Sequence, residues 1–211
     1  MRDQLIKFIS EAKFPCVMAK SVVKMGFLCV NEAKNIEEET EIEALLTKFY
    51  DFVDQYRSNP EKLSSFIVTL PHADYQDLEK FEAVFWKFLS RLRQKDGLKF
   101  KHDPRVSADP NDPNYSYSIK EEAFFILVLH PKSPRFARRF STPTIVFNPH
   151  QQFEGLRSKG LFKKVRDLIR KRDELLQGFI NPMLLDFGEK SEVFQYMGIK
   201  YPNTARSPLT V

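Results

Sequence analysis

Two histidines, one cysteine and an acid-free knot of arginines carry most of the chemistry open to this chain. His130 and His150 each end an apolar run beside a proline, in Leu129-His130-Pro131 and Phe147-Asn148-Pro149-His150. Strand ends that meet loops are where α/β proteins put ligand-binding side chains. A neutral imidazole there can ligate iron, or act as acid or base near neutral pH. The plainer role is a turn histidine bonded to backbone. His72, between an apolar run and a helix start, and His102, in a polar loop, are expected to be exposed and inert.

Cys16 follows Phe14-Pro15 and opens an apolar run. As a thiolate near cations it can ligate iron, and as a thiol it is a small buried hydrophobe. Cys29, midway along an apolar run, falls in the second class. Arg135, Arg138 and Arg139 form a cationic lip between two expected strands, suited to bidentate pairing with carboxylates. Arg172 falls on the apolar side of its helix, from which it either reaches inward to a carboxylate or snorkels to solvent. Glu154, Asp186 and Glu192 are turn-adjacent acids that can hold a guanidinium or ammonium group, and ordinary surface acids look the same.

These groups need a scaffold, and hydrophobic periodicity outlines one. Leu5, Ile6, Phe8 and Ile9 suggest a short opening helix. Helical spacing of Ile42, Leu45, Leu46, Phe49, Val53 and Tyr56 predicts a helix over Glu37 to Arg57, ended by Ser58-Asn59-Pro60. A second stripe of Leu78, Phe81, Phe85, Phe88, Leu89 and Leu92 predicts a helix to about Lys95, capped by Asp74 and closed by Asp96-Gly97. A third runs from Leu161 to Gln177, with Val165, Leu168, Ile169, Leu175 and Leu176 inward and Gly178 as its stop. Apolar runs at Phe14–Ala19, Gly26–Val30, Ser65–Leu70, Glu122–His130 and Thr144–Phe147 read as strands. Ser65–Leu70, the helix after it and a later strand suit a crossover unit. Lys101 to Ser118, broken by Pro104, Pro110 and Pro113, is expected to be a loop and is a candidate lid. A short helix fits Ser191 to Met197. The fold class is therefore α/β, a sandwich built on a mixed sheet of about five strands, over 1–211 as one domain.

Bulk properties narrow the partners. Twenty phenylalanines against seven tyrosines and one tryptophan can wall an apolar pocket for a flat ligand, or simply build an aromatic core. The net charge of +5 leaves an acidic ligand or nucleic acid open, but 28 acids are interspersed with the 33 basic residues, which disfavours nucleic acid. The basic stretch from Lys163 to Arg172 alternates signs as a solvated helix face does. No span is apolar enough for a bilayer and no signal-peptide core opens the chain, so a cytoplasmic location is expected. Two cysteines make no disulfide framework, no paired His/Cys spacing suggests zinc, and no glycine-rich phosphate loop suggests NAD or ATP.

Taken in order, a set of segments resembles the YqcI/YcgG family of small bacterial heme proteins. They are Phe14-Pro15-Cys16; His130-Pro131 with Ser133, Arg135 and Arg138-Arg139-Phe140; and Phe147-Asn148-Pro149-His150 with Phe153-Glu154. Further on come Ile169-Arg170 with Arg172-Asp173, Gln177-Gly178, Asn181-Pro182, Asp186-Phe187-Gly188, and Ser191-Glu192 with Tyr196. Asn-Pro-His-x-x-Phe-Glu is the most specific.

The resemblance implies heme b, and oxygen-dependent hydroxylation of a guanidine or amine nitrogen of L-arginine or a similar amino acid, with electrons from an external reductant or donor protein. His150 is the expected iron ligand, with His130 and Cys16 behind it. Arg135, Arg138, Arg139, Arg172 and Asn148 then belong to the cofactor surroundings, the three clustered arginines binding propionates or a substrate carboxylate. Glu154 or Asp186 would pair with the guanidinium. A homodimer is left open. The competing classes are a non-catalytic heme-binding or sensing protein and, further off, a basic nucleic-acid-binding domain.

Overall fold

Two phenylalanine-rich helices and the strand between them organise one half of the molecule. A computed structural model describes residues 1–72, 75–181, 183, 185–202 and 204–209. Helix α3 (Glu39–Ser58) follows α1 (Arg2–Ser10) and α2 (Val17–Met25), and α4 (Leu78–Asp96) comes after it. All six residues of the α3 stripe are buried, and Phe52 joins them. Phe49 is the hub: its ring stacks on Phe66 at 4.2 Å and meets Phe124 and Phe147 at 5.0 Å each. Such offset and edge contacts add to what simple burial of the rings contributes.

The sheet has five strands: β1 (Phe27–Glu32), β2 (Ser64–Thr69), β3 (Tyr117–Ile119), β4 (Glu122–Leu129) and β5 (Thr144–Pro149). Their order is β1-β2-β5-β4-β3. Only β1 and β2 are parallel, so the crossover unit is β1-α3-β2; β2 runs antiparallel to β5, and β4 antiparallel to β5 and β3. The expected α/β class and mixed sheet are therefore present, with the crossover one unit earlier than predicted. The strand alternation divides the core. Phe66, Val68, Phe124, Ile126, Ile145 and Phe147 face α3 and α4. Ile67, Leu127, Leu129 and Val146 face the other way, towards α1 and α2.

One expected strand and one expected loop need correction. Phe14–Ala19 is no strand. Cys16 has extended backbone and caps α2, its Sγ accepting from the Ala19 amide at 3.4 Å. The apolar run reads as β because Met18, Ala19 and Val22, spaced to share one side of a helix, overlap a continuous apolar stretch too short to show a period. Conversely β3 begins at Tyr117, within the end of the segment expected to be loop. It escapes prediction because the β3–β4 turn lacks the usual Asn-Gly or Asp-Gly signal. Lys120 and Glu121 both take left-handed backbone, φ 53° and 56°. Outside groups hold them there: Asp96 accepts from the Lys120 amide at 3.1 Å, and Arg57 Nη2 donates to the carbonyls of Lys120 and Glu121 at 2.8 and 3.0 Å.

The helix caps also differ in detail. The acid capping α4 is Asp77, which accepts from the Lys80 amide at 2.9 Å; Asp74, the expected cap, lies outside the described residues, as does Pro182 of the Asn181-Pro182 pair. The segment from 101 to 118, the candidate lid, is tied down in this structure. Ser107 donates to the Asn114 carbonyl, Ser191 Oγ to Pro110 and the Gly188 amide to Pro113, so it is pinned within itself and to the C-terminal segment. A short helix, α7 (Val193–Tyr196), stands where one was expected. His102 is half-buried against Tyr115, not exposed, whereas His72 is exposed as expected.

Two helices complete the second face, α5 (Gln151–Ser158) and α6 (Phe162–Gln177). α6 ends as expected at Gly178, whose φ of 87° suits a residue without Cβ. Its packing departs from expectation: none of its residues is fully buried, and Leu168 and Leu175 are 47% and 79% exposed. The helix stands off the sheet, and the space beneath it holds the candidate site.

Candidate functional site

Beneath α6 the strand residues meet a helix face that mixes apolar and charged side chains. Val165 and Ile169 point the same way as Arg166 and Arg170, and with Phe125, Phe153, Phe162 and Phe187 they line a cavity of about 220 Å³. A second cavity, about 230 Å³, shares Met18, Phe125, Phe153 and Ile169 with it and continues towards Cys16, Asn148, Arg135 and Arg138. Concave, largely apolar spaces with a few convergent polar groups are the usual form of small-molecule and cofactor sites.

His150 lines the first cavity, positioned by the end of β5 and the start of α5. Its amide donates to the Ala123 carbonyl at 2.8 Å, which fixes the turn, and its ring packs edge-on to Phe187 at 4.6 Å. Nε2 lies 3.1 Å from Glu154 Oε1, one helical turn on. A carboxylate only accepts, so Nε2 carries the proton and Nδ1 presents a lone pair. Nδ1 is buried and has no partner. Burial, the largest influence, holds the imidazolium below the usual histidine range, although Glu154 pulls the other way. A neutral imidazole with one nitrogen anchored on a carboxylate and the other free is the arrangement that supports metal ligation. Among the described residues no group of three or more His, Cys, Asp or Glu side chains is placed to cage a bare metal ion; a cofactor-borne iron needs only one such ligand.

The other expected ligands are placed differently. His130 is fully buried and spends both nitrogens: Nε2 lies 2.7 Å from the Tyr75 carbonyl and Nδ1 accepts from the Lys132 amide at 3.1 Å. It stacks on Phe81. This is the turn histidine bonded to backbone. Replacing it with alanine should lower stability by about 2 kcal/mol, the scale of two buried hydrogen bonds lost, without changing any ligand spectrum; urea unfolding and absorption spectra check both halves. Cys16 lines the second cavity, and burial pushes its thiol up from the usual value, which keeps it protonated at neutral pH.

The arginines divide between architecture and site. Arg172 donates to three backbone carbonyls, Ala12 at 2.7 Å, Phe14 at 3.0 Å and Pro15 at 3.2 Å, tying α6 to the segment before α2. Arg172 therefore reaches inward, but to carbonyls and not to a carboxylate. Arg139 donates to the Ser133 carbonyl and lies over Phe136, away from both cavities. Arg135 pairs with Asp173, and Arg138 donates to the Tyr196 carbonyl at 2.7 Å; both line the second cavity. Asn148 joins them there, accepting from Ser65 Oγ at 2.8 Å.

Both acids expected to face a guanidinium already have one. Glu154 pairs with Arg157, besides His150, and Asp186 pairs with Arg166 and with Arg170 at 3.0 Å. Glu192 contrasts with them. It is buried against the first cavity with hydroxyl partners only, Ser116 at 2.9 Å and Tyr196 at 2.7 Å. Burial pushes its carboxyl up to about 8. The sequence marks Glu192 as one acid among three, and nothing local ranks it first. Arg166 and Arg170 read as part of a solvated alternating helix; their spacing with Val165 and Ile169 was the available signal for an inward face.

The fold and site define an α/β protein with a histidine-bearing, largely apolar cavity under a charged helix. The profile of the YqcI/YcgG family matches residues 5–210, and the chain belongs to that family. It is 27% identical over 198 residues to the uncharacterized protein YqcI of Bacillus subtilis strain 168, covering 87% of this chain and 74% of the relative. It is also 27% identical over 184 residues to the uncharacterized protein YcgG of the same organism, covering 84% and 72%. No solved structure matches significantly. No helix among the described residues is long and apolar enough to cross a membrane.

Proposed function

We propose that the cavity beneath α6 holds heme b, ligated by His150, and that the protein is an oxygenase hydroxylating a guanidine or amine nitrogen. The observation that carries the reading is the free, buried Nδ1 of a neutral His150 backed by Glu154. Phe125, Phe153, Phe162 and Phe187 supply apolar walls for a flat group. Arg157, Arg166 and Arg170 supply cations that can meet its carboxylates, although each is already engaged by Glu154 or Asp186. Bound there, heme supplies activation of O2 with electrons from an external reductant.

The chain's own contribution is orientation and proton control. Glu154 holds the His150 ring and its tautomer. Glu192 keeps a neutral carboxyl beside the cavity at neutral pH and gives up its proton when a cationic nitrogen is brought next to it. That makes Glu192 a better partner for a substrate guanidinium than Glu154 or Asp186, which are already neutralised.

The same neutralisation favours a second reading, a heme-holding protein without turnover. One experiment separates them. The purified protein, loaded with hemin, is expected to show a Soret band with histidine-type character. With L-arginine, reductant and air it should then form an N-hydroxylated product. Heme binding without any product across a panel of guanidines and amines selects the second reading, and no Soret band removes both. Salt-dependent binding of nucleic acid by a colourless protein would favour the remaining class.

A further inference from the structure

The second cavity has features of its own that point to a ligand. At one end it carries more positive than negative charge. Arg135, only 5% exposed, pairs with Asp173 through Nη2, while its Nη1 is buried without a hydrogen-bond partner. Arg138 stands beside this pair with a neutral carbonyl as its bonded partner. Two guanidiniums thus share one carboxylate. Burial lowers the Arg138 guanidinium to about 10, with Arg135 adding repulsion and Asp173 partly offsetting it. Buried charge without a counter-charge is expensive, and a bound anion removes that cost.

Close packing holds Arg138 in place. Gly198 has φ 71°, and a Cβ there would sit 2.9 Å from Arg138 Cδ, so the backbone approaches the guanidinium as only glycine allows. Away from the arginines the cavity turns apolar, with Leu28, Ile67, Leu127 and Val146 from four strands facing Val22 of α2.

From this juxtaposition we propose that the second cavity is a binding site for an apolar monocarboxylate, its acid group on Arg135 Nη1 and Arg138 and its hydrocarbon body along the strand residues. The Arg135–Asp173 pair holds one guanidinium edge, leaving the other for the ligand. The inference stands apart from heme ligation, because none of its groups is the iron ligand and its test uses cofactor-free protein.

The experiment compares octanoate with octanamide, the uncharged isostere, by calorimetry on the cofactor-free chain. Octanoate is expected to bind at least about tenfold more tightly, a difference of roughly 1.4 kcal/mol. Arg135→Met should bring octanoate down to the octanamide level and leave octanamide unaffected. Val146→Trp, which fills the apolar part from β5, should expel both. If Arg135→Met fails to fold, the wild-type comparison and the filled variant still decide. Equal affinity for the two ligands, no octanoate binding, or unchanged octanoate binding in Val146→Trp overturns the proposal.

Discussion

Alanine in place of His150 is expected to remove the histidine-type Soret band from hemin-loaded protein and to reduce heme affinity beyond the roughly 10–100-fold that losing a supporting partner costs. His130 has both ring nitrogens bonded to backbone, and the Cys16 thiol is held protonated by burial. Of the two histidines, His150 alone keeps a ring nitrogen without a protein partner, at Nδ1. Glu154→Gln should have the intermediate effect. The amide oxygen can still accept from Nε2, but the charge that strengthens the imidazole as a donor is gone. A spectral titration with hemin reads both variants, and thermal melts confirm that each remains folded. Retention of the wild-type band in His150→Ala would mean that iron is bound elsewhere and that the site is assigned wrongly.

The second large effect concerns Glu192 and pH. Its carboxyl is raised to about 8 in the folded protein from an ordinary value near 4.5, chiefly by burial. Over the interval between them the unfolded chain has lost this proton while the folded chain keeps it. The folded state binds more protons, so this group's contribution to stability falls as pH rises through the interval and levels off above it. The full loss is on the order of 5 kcal/mol as an upper figure.

Glu192→Gln keeps an acceptor for Ser116 and Tyr196 and cannot ionise. It should match the wild type at about pH 4.5 and exceed it by several kcal/mol at about pH 9, as measured by urea unfolding at each pH. Parallel pH profiles for the two proteins would show that Glu192 does not titrate as a buried acid. The same variant tests function. If the carboxyl ionises to meet a cationic substrate, Glu192→Gln weakens that substrate while leaving the heme spectrum unchanged.

Much of this scaffold is written locally. Helices α3 and α4, strands β2, β4 and β5, and the stop at Gly178 follow from apolar period and from glycine's backbone freedom, and their residues lie where the periods require. The failures share a cause. The run after Phe14 is too short for its period to separate helix from strand. The left-handed turn at Lys120 and Glu121 is held by Arg57 and Asp96, which are 63 or 64 and 24 residues distant in sequence. The stripe on α6 misleads because the helix stands off the sheet, so Leu168 and Leu175 stay exposed.

The site divides in the same way. The α/β class, the candidate ligand His150 at a strand end, the arginine cluster and the ordered motifs that mark the family are all legible in local residue pattern. Tertiary structure alone decided which of these groups has chemistry left to offer. His130 and His150 share a local signature, a strand end beside a proline, yet one is satisfied by Tyr75 and Lys132 and the other retains a free nitrogen. Glu154, Asp186 and Glu192 are all carboxylates, but two meet arginines and the third meets hydroxyls where it is buried. Hydrogen-bond partners and proton affinity depend on what the rest of the chain brings within a few ångströms, and that is set by packing between segments, which no local pattern encodes.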